Sequence, residues 1–184
     1  MITPVNPKVE HPTYYNSTRM ECIEMLDRIC EGYSGVAAFD IGQCKYLNRA
    51  GLKAEEGYSK YEKGLEDLNK FRFYLNDFFQ RACRKYYEEQ GEVVDSAIAR
   101  SEVNIELPEG FYCRKTSSKL EKRLVAMQFA AGRSRETREE AILCDHFEDV
   151  IRSIWCMRTF MDLRFAIDNL NSLIKFFEEN FPKG

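Results

Sequence analysis

Between Leu143 and Phe177 apolar residues return every three or four positions, with no proline or glycine to stop them, and this rhythm constrains the fold more than any other feature of the chain. Leu143, Phe147, Val150, Ile154, Met157 and Met161 form one row. Phe160, Leu163, Ile167, Leu170, Ile174 and Phe177 form a second. An uninterrupted pattern of this kind predicts one long helix, and two overlapping rows predict that it is covered on more than one side. Such a helix is either the centre of a bundle or a seam between copies of the chain. The expected fold is therefore all-α, a helical bundle with a long C-terminal helix, and the expected assembly is a homo-oligomer.

The remaining elements follow from local signals. Pro4, Pro7 and Pro12 keep residues 1–17 extended. Thr18 and Glu21 have capping-box spacing ahead of Cys22, Ile23, Leu26, Ile29 and Cys30, and Gly32 ends that helix. A second helix is predicted over 35–50, with Val36, Ala38, Phe39, Ile41 and Leu47 as its apolar positions and Gly51 past its end. Ser59 and Glu62 offer another capping box, opening a long amphipathic helix to about Gln90. Gly64 near its start is a weak point, costing roughly 1 kcal/mol against alanine. The alternation of Val103–Leu107 and Phe111–Lys115 around Pro108-Glu109-Gly110 predicts a small β-hairpin or extended excursion at 103–115. Helix returns at 119–131, and Ser134 is the next expected N-cap. This divides the chain into a helical unit at 1–90, a connection at 91–116, and a helical extension at 117–184 that packs on the first part or forms the seam.

Composition removes several classes of function. Lys and Arg number 27 against 30 Asp and Glu, a net charge of −3, which argues against a nucleic-acid-binding surface. No apolar run reaches the length of a membrane span. The seven cysteines (Cys22, Cys30, Cys44, Cys83, Cys113, Cys144 and Cys156) include no C-x-x-C pair, and the first ten residues lack the apolar core of a signal peptide. Reduced thiols in the cytoplasm are the expected state. His11 and His146 are the only histidines, too few for a histidine-based metal centre, and no metal site is assigned. The P-loop, the G-x-G-x-x-G turn, H-E-x-x-H and the nucleophile elbow are all missing.

One stretch still points to chemistry. In "IGQCKYLNRAGLK", Gly42, Lys45 and Arg49 follow i, i+3, i+7 spacing and should share one helix face, the glycine clearing space that two cations line. Lysine meets phosphate as a point charge and arginine as a fork. Lys53 lies just past the helix end. On the following helix Asp67 and Lys70 are i, i+3 partners, with Tyr74 a turn further on. If the two helices are antiparallel neighbours, Asp67 can orient Arg49 or Lys45. The plainer alternative is a solvated cation row whose salt bridges are worth ~0.3–0.5 kcal/mol. His11, held between prolines, could be a ligand contact or a general acid or base. His146, amid acids, reads as a solvated helix residue.

The blocks "HPTYYN", "ECIEML", "FDIGQCKYLNRAGLK" and "LEDLNKFRFYL", in this order over about residues 11–79, resemble a phage-encoded family of small helical proteins that includes a P-loop-less podoviral deoxynucleoside monophosphate kinase. The positions that carry the resemblance are His11, Pro12, Tyr15, Glu21, Gly42, Lys45, Tyr46, Arg49, Ala50, Gly51, Lys53, Asp67, Leu68, Lys70, Tyr74 and Leu75. Tyr14, Gln43 and Phe71 depart from it, standing where the family has His, Asn and Ala. The resemblance implies a nucleotide or another phosphate-bearing small molecule as ligand. Gly42, Lys45, Arg49, Lys53 and Lys70 would meet phosphate, Tyr15 or Tyr74 would stack on a base, and His11 would close over the top. If the protein is a kinase, Mg²⁺ is implied, with Asp67 or Glu21 as its partner or as the hydroxyl partner. A non-catalytic nucleotide binder or sponge, and a helical module docking a host or phage protein, are the alternatives. An exposed apolar stripe over 143–177 would favour the last.

Overall fold

A computed structural model describes residues 22–52, 56–90 and 105–181, whose regular elements are all helices: α1 (Cys22–Cys30), α2 (Gly35–Gly42), α3 (Lys45–Arg49), α4 (Lys60–Gln90), α5 (Lys119–Ala130), α6 (Arg138–Ile154) and α7 (Phe160–Asn180). The all-α class is thus the observed one. One hydrophobic cluster runs from Cys22 through α4 to Phe177 and includes buried side chains of every helix, so residues 117–181 pack on the first part.

The C-terminal rhythm belongs to two helices. The chain leaves α6 at Trp155, Cys156 takes a left-handed backbone (φ 56°), and Thr159 restarts helix with a capping box to Asp162. The expected continuous helix is corrected accordingly. α6 and α7 fold back on each other: Asn169 Nδ2 donates to Ser153 Oγ at 2.7 Å, and the His146 ring lies 5.0 Å from that of Phe176. His146 is half-buried by that contact rather than solvated. Phe147, Val150, Ile154, Met157, Leu163, Leu170 and Phe177 are all buried inside the chain. The two rows therefore cover each other and the bundle.

Residues 105–115 form no hairpin. The segment lies across the α6–α7 corner instead: Leu107 N donates to Arg158 O (2.8 Å), Phe160 N to Ile105 O (3.0 Å) and Cys113 N to Met157 O (2.7 Å). Among the described residues, the ladder contact of this segment is the antiparallel bridge Glu106–Thr159. The Pro-Glu-Gly turn is present, with Phe111 N donating to Pro108 O and Gly110 at φ 88°. Residues 103 and 104 lie outside the described residues. Tyr33 ties the corner to the α1–α2 loop, its hydroxyl donating to Ile154 O and accepting from Met157 N, both at 2.7 Å.

Other starts and stops agree or shift slightly. Ser59 and Glu62 close their capping box before α4 (2.9 and 3.1 Å). Gly51 follows α3 at φ 74°. α6 is capped by Thr137 with Glu140, three residues later than the expected Ser134. The predicted helix over 35–50 is broken at Gln43 and Cys44 into α2 and α3. Thr18 lies outside the described residues.

Gly64, which looked like a weak point in α4, has a packing reason. A Cβ there would stand 2.6 Å from Gly51 N and 2.7 Å from Phe177 Cζ. The missing side chain lets the loop after α3 and the tip of α7 both close on α4. An ordinary exposed helix glycine replaced by alanine gains about 1 kcal/mol. Gly64→Ala should instead lose about 1–3 kcal/mol by overpacking, read as a lower urea midpoint; a higher midpoint would show that the approach is not needed.

Candidate functional site

α3 has five residues, too short to hold itself together in water. It is fixed from outside at two points. On one side Arg49 extends across to α4, where Nε donates to Asp67 Oδ2 and Nη2 to Asp67 Oδ1, each at 2.6 Å. Asp67 is fully buried, and the Arg49 side chain is only 13% exposed. At its C-terminal end the carbonyls of Leu47, Asn48 and Ala50 accept from the guanidinium of Arg133, in the α5–α6 loop. Arg133 lies over Phe147, its Cζ 3.8 Å from the ring centre, and its burial pushes its pKa down to about 10. A cation at this end also complements the negative pole of the helix.

The side chains thus held make one cluster. The Tyr46 ring is its centre: Arg49 Cζ lies 4.7 Å from the centroid, Lys45 Nζ 5.3 Å and Lys70 Nζ 5.8 Å. Tyr46 stacks on Tyr74 of α4, with centroids 6.2 Å apart and planes within 10°. Lys70 pairs with Glu66, one turn back, and not with Asp67. Glu66 is shared with Lys63 (2.7 Å), and hydrogen bonds from both lysines hold its carboxyl below the usual range. Lys45 has no acidic partner among the described residues, and its charge and that of Arg49 extend to the buried Cys22 thiol, whose pKa burial nevertheless raises to about 11.

Of the residues singled out in the sequence, Lys45, Arg49, Asp67, Lys70 and Tyr74 come together here. Gly42 does not. The break at Gln43 and Cys44 interrupts its ladder to Lys45, and its bare side faces Cys30, whose Sγ would lie 3.7 Å from an added Cβ. His11, Tyr15, Glu21 and Lys53 lie outside the described residues. Sequence reasoning missed Tyr46 as the hub, Glu66 as the acid between the two lysines, and Arg133. Tyr46 follows Lys45 directly and Glu66 sits at i−4 from Lys70, so both were within reach of the helical spacing rule. Nothing local marks Arg133, whose hydrogen-bond partners are more than eighty residues away.

The two carboxylates described at this cluster do not suit a magnesium ion. Both Asp67 oxygens accept from Arg49 in a buried pair, and Glu66 is occupied by two lysines. Among the described residues no group of three or more His, Cys, Asp or Glu gathers, and no helix is long and apolar enough to cross a membrane. The seven cysteines are free thiols. No protein-family model, curated protein or solved structure matches the chain.

Breaking a buried pair leaves a stranded charge, which costs about 3–5 kcal/mol. Asp67→Ala should lose that much stability in chemical denaturation, while Lys70→Ala, which removes an exposed pair, should change it by less than about 1 kcal/mol. Comparable small losses for the two variants would mean that the Arg49–Asp67 fork does not anchor α3.

Proposed function

We propose that the protein binds the phosphate groups of a nucleotide at the cluster carried by α3 and α4, in the cytoplasm of a phage-infected host. The observation that supports this best is the gathering of Lys45, Arg49 and Lys70 around the single ring of Tyr46. Asp67 meets Arg49, and Lys70 and Lys63 share the one carboxylate of Glu66, so with Lys45 added the positive charge here exceeds that of these two acids, and an anion that joins it gains. The four-block resemblance points to the same ligand class through the same positions.

The residues divide the work. Lys45 meets phosphate as a point charge at the end of a flexible chain, and Lys70 does so when it turns from Glu66, which keeps Lys63 as a partner. Arg49 spends Nε and Nη2 on Asp67, so its main part is to hold α3 in register, and Asp67 is its positioning residue. This assignment favours a binder without turnover over a kinase: both described acids at the cluster are committed to cations, and neither is placed to take a proton from a substrate hydroxyl.

Isothermal titration with ATP and with a deoxynucleoside monophosphate tests the reading. Charge-assisted hydrogen bonds to phosphate are worth about 1.5–3 kcal/mol each. Lys45→Ala and Lys70→Ala should therefore each weaken binding by about tenfold or more, and the pair by more than either. Equal binding by wild type and the double variant, or none by wild type, overturns the proposal. Incubating ATP with the monophosphate, magnesium included, should show no phosphoryl transfer; transfer would restore the kinase reading.

A further inference from the structure

Two phenylalanines beside this cluster stand in water. Phe39 of α2 is 61% exposed and Phe73 of α4 is 67% exposed, although phenyl rings are normally interior. They come from different helices and meet at one residue. Phe39 packs edge-on to Tyr74 with centroids 6.1 Å apart at 77°, and Phe73 does the same at 5.6 Å and 81°. Tyr74 is the ring that stacks on Tyr46. The surface is therefore continuous, with exposed rings at one end and ammonium groups at the other.

We infer that Phe39, Phe73 and Tyr74 form the base-stacking end of the site, so that the ligand is a whole nucleotide held by its ring and its phosphates together. The inference rests on the phosphate reading above. A nucleotide has the same polarity as the surface, a flat aromatic base joined to an anion. The reach also suits it: Lys45 Nζ is 5.3 Å from the Tyr46 centroid, which is 6.2 Å from that of Tyr74. Stacking on aromatic side chains is tolerant of base identity because every base has a π face. The site should accept all four bases, purines ahead of pyrimidines on contact area alone.

A second copy of the chain is the rival occupant of exposed rings. A two-fold contact centred here would bring Lys45, which has no acidic partner among the described residues, and the Lys63–Lys70 pair that shares Glu66 against their own counterparts, and this surplus of like charge opposes it. A nucleotide brings the opposite charge to the same place.

Titration of the full chain with two probes, ATP and inorganic tripolyphosphate, decides the matter, using Phe39→Ser/Phe73→Ser and, to keep an apolar surface without π faces, Phe39→Leu/Phe73→Leu. Wild type should bind ATP at least tenfold more tightly than tripolyphosphate. Both double variants should lose tenfold to a hundredfold in ATP affinity and leave tripolyphosphate unchanged. ATP affinity unmoved by both variants, with tripolyphosphate still bound, overturns stacking and leaves the phosphate site standing. Failure of wild type to bind either probe overturns both. A wild-type dimer in sedimentation that dissociates in the serine variant assigns the rings to self-association and also overturns the inference.

Discussion

The buried fork between Arg49 and Asp67 is the interaction on which the rest of this site depends. A carboxylate at the centre of a helix–helix contact is tolerable only when its charge is met, and two 2.6 Å hydrogen bonds from a planar guanidinium meet it. The same bonds hold a five-residue helix that has no cooperative stability of its own. Because α3 is held there, Lys45 and Tyr46 stand opposite Lys70 and Tyr74 of α4. The site is a consequence of how a charge is buried.

The C-terminal half supports this arrangement from behind. Phe177 of α7 lies against Gly51 and the gap at Gly64, and Arg133 binds the last carbonyls of α3 while resting on Phe147 of α6. Both contacts fix where α3 ends. The corner at Ile154–Thr159 has a further part, since it carries the segment 105–115 across its backbone and takes both hydrogen bonds of the Tyr33 hydroxyl. Residues 117–181 are thus built into the core that positions the cations.

Local signals in the sequence were read well where a single turn of chain decides the outcome. The Ser59–Glu62 box, Gly51 after α3, the helix at 119–130 and the all-helical class were legible for that reason. The break at 155–159 was not, because an apolar rhythm of three and four passes unchanged through a corner that returns the chain to the same core. Thr159 and Asp162 carried the capping signal that marks the restart. The docking of 105–115 on the α6–α7 corner is decided by distant partners. At the site, the orientation of Arg49 by Asp67 followed from the condition that two helices lie side by side. The outward turn of Phe39 could not be read, since a phenylalanine at an apolar position is ordinarily core. Gly42 failed as a floor because the face it belonged to required one unbroken helix.

The most direct test of the account is amide chemical-shift mapping of the full chain as ATP is added. The account predicts that the largest changes fall on Phe39, Lys45, Tyr46, Lys70, Phe73 and Tyr74, residues far apart in sequence that the Arg49–Asp67 fork brings onto one surface. Changes confined to some other part of the bundle, with these six unmoved, would contradict it.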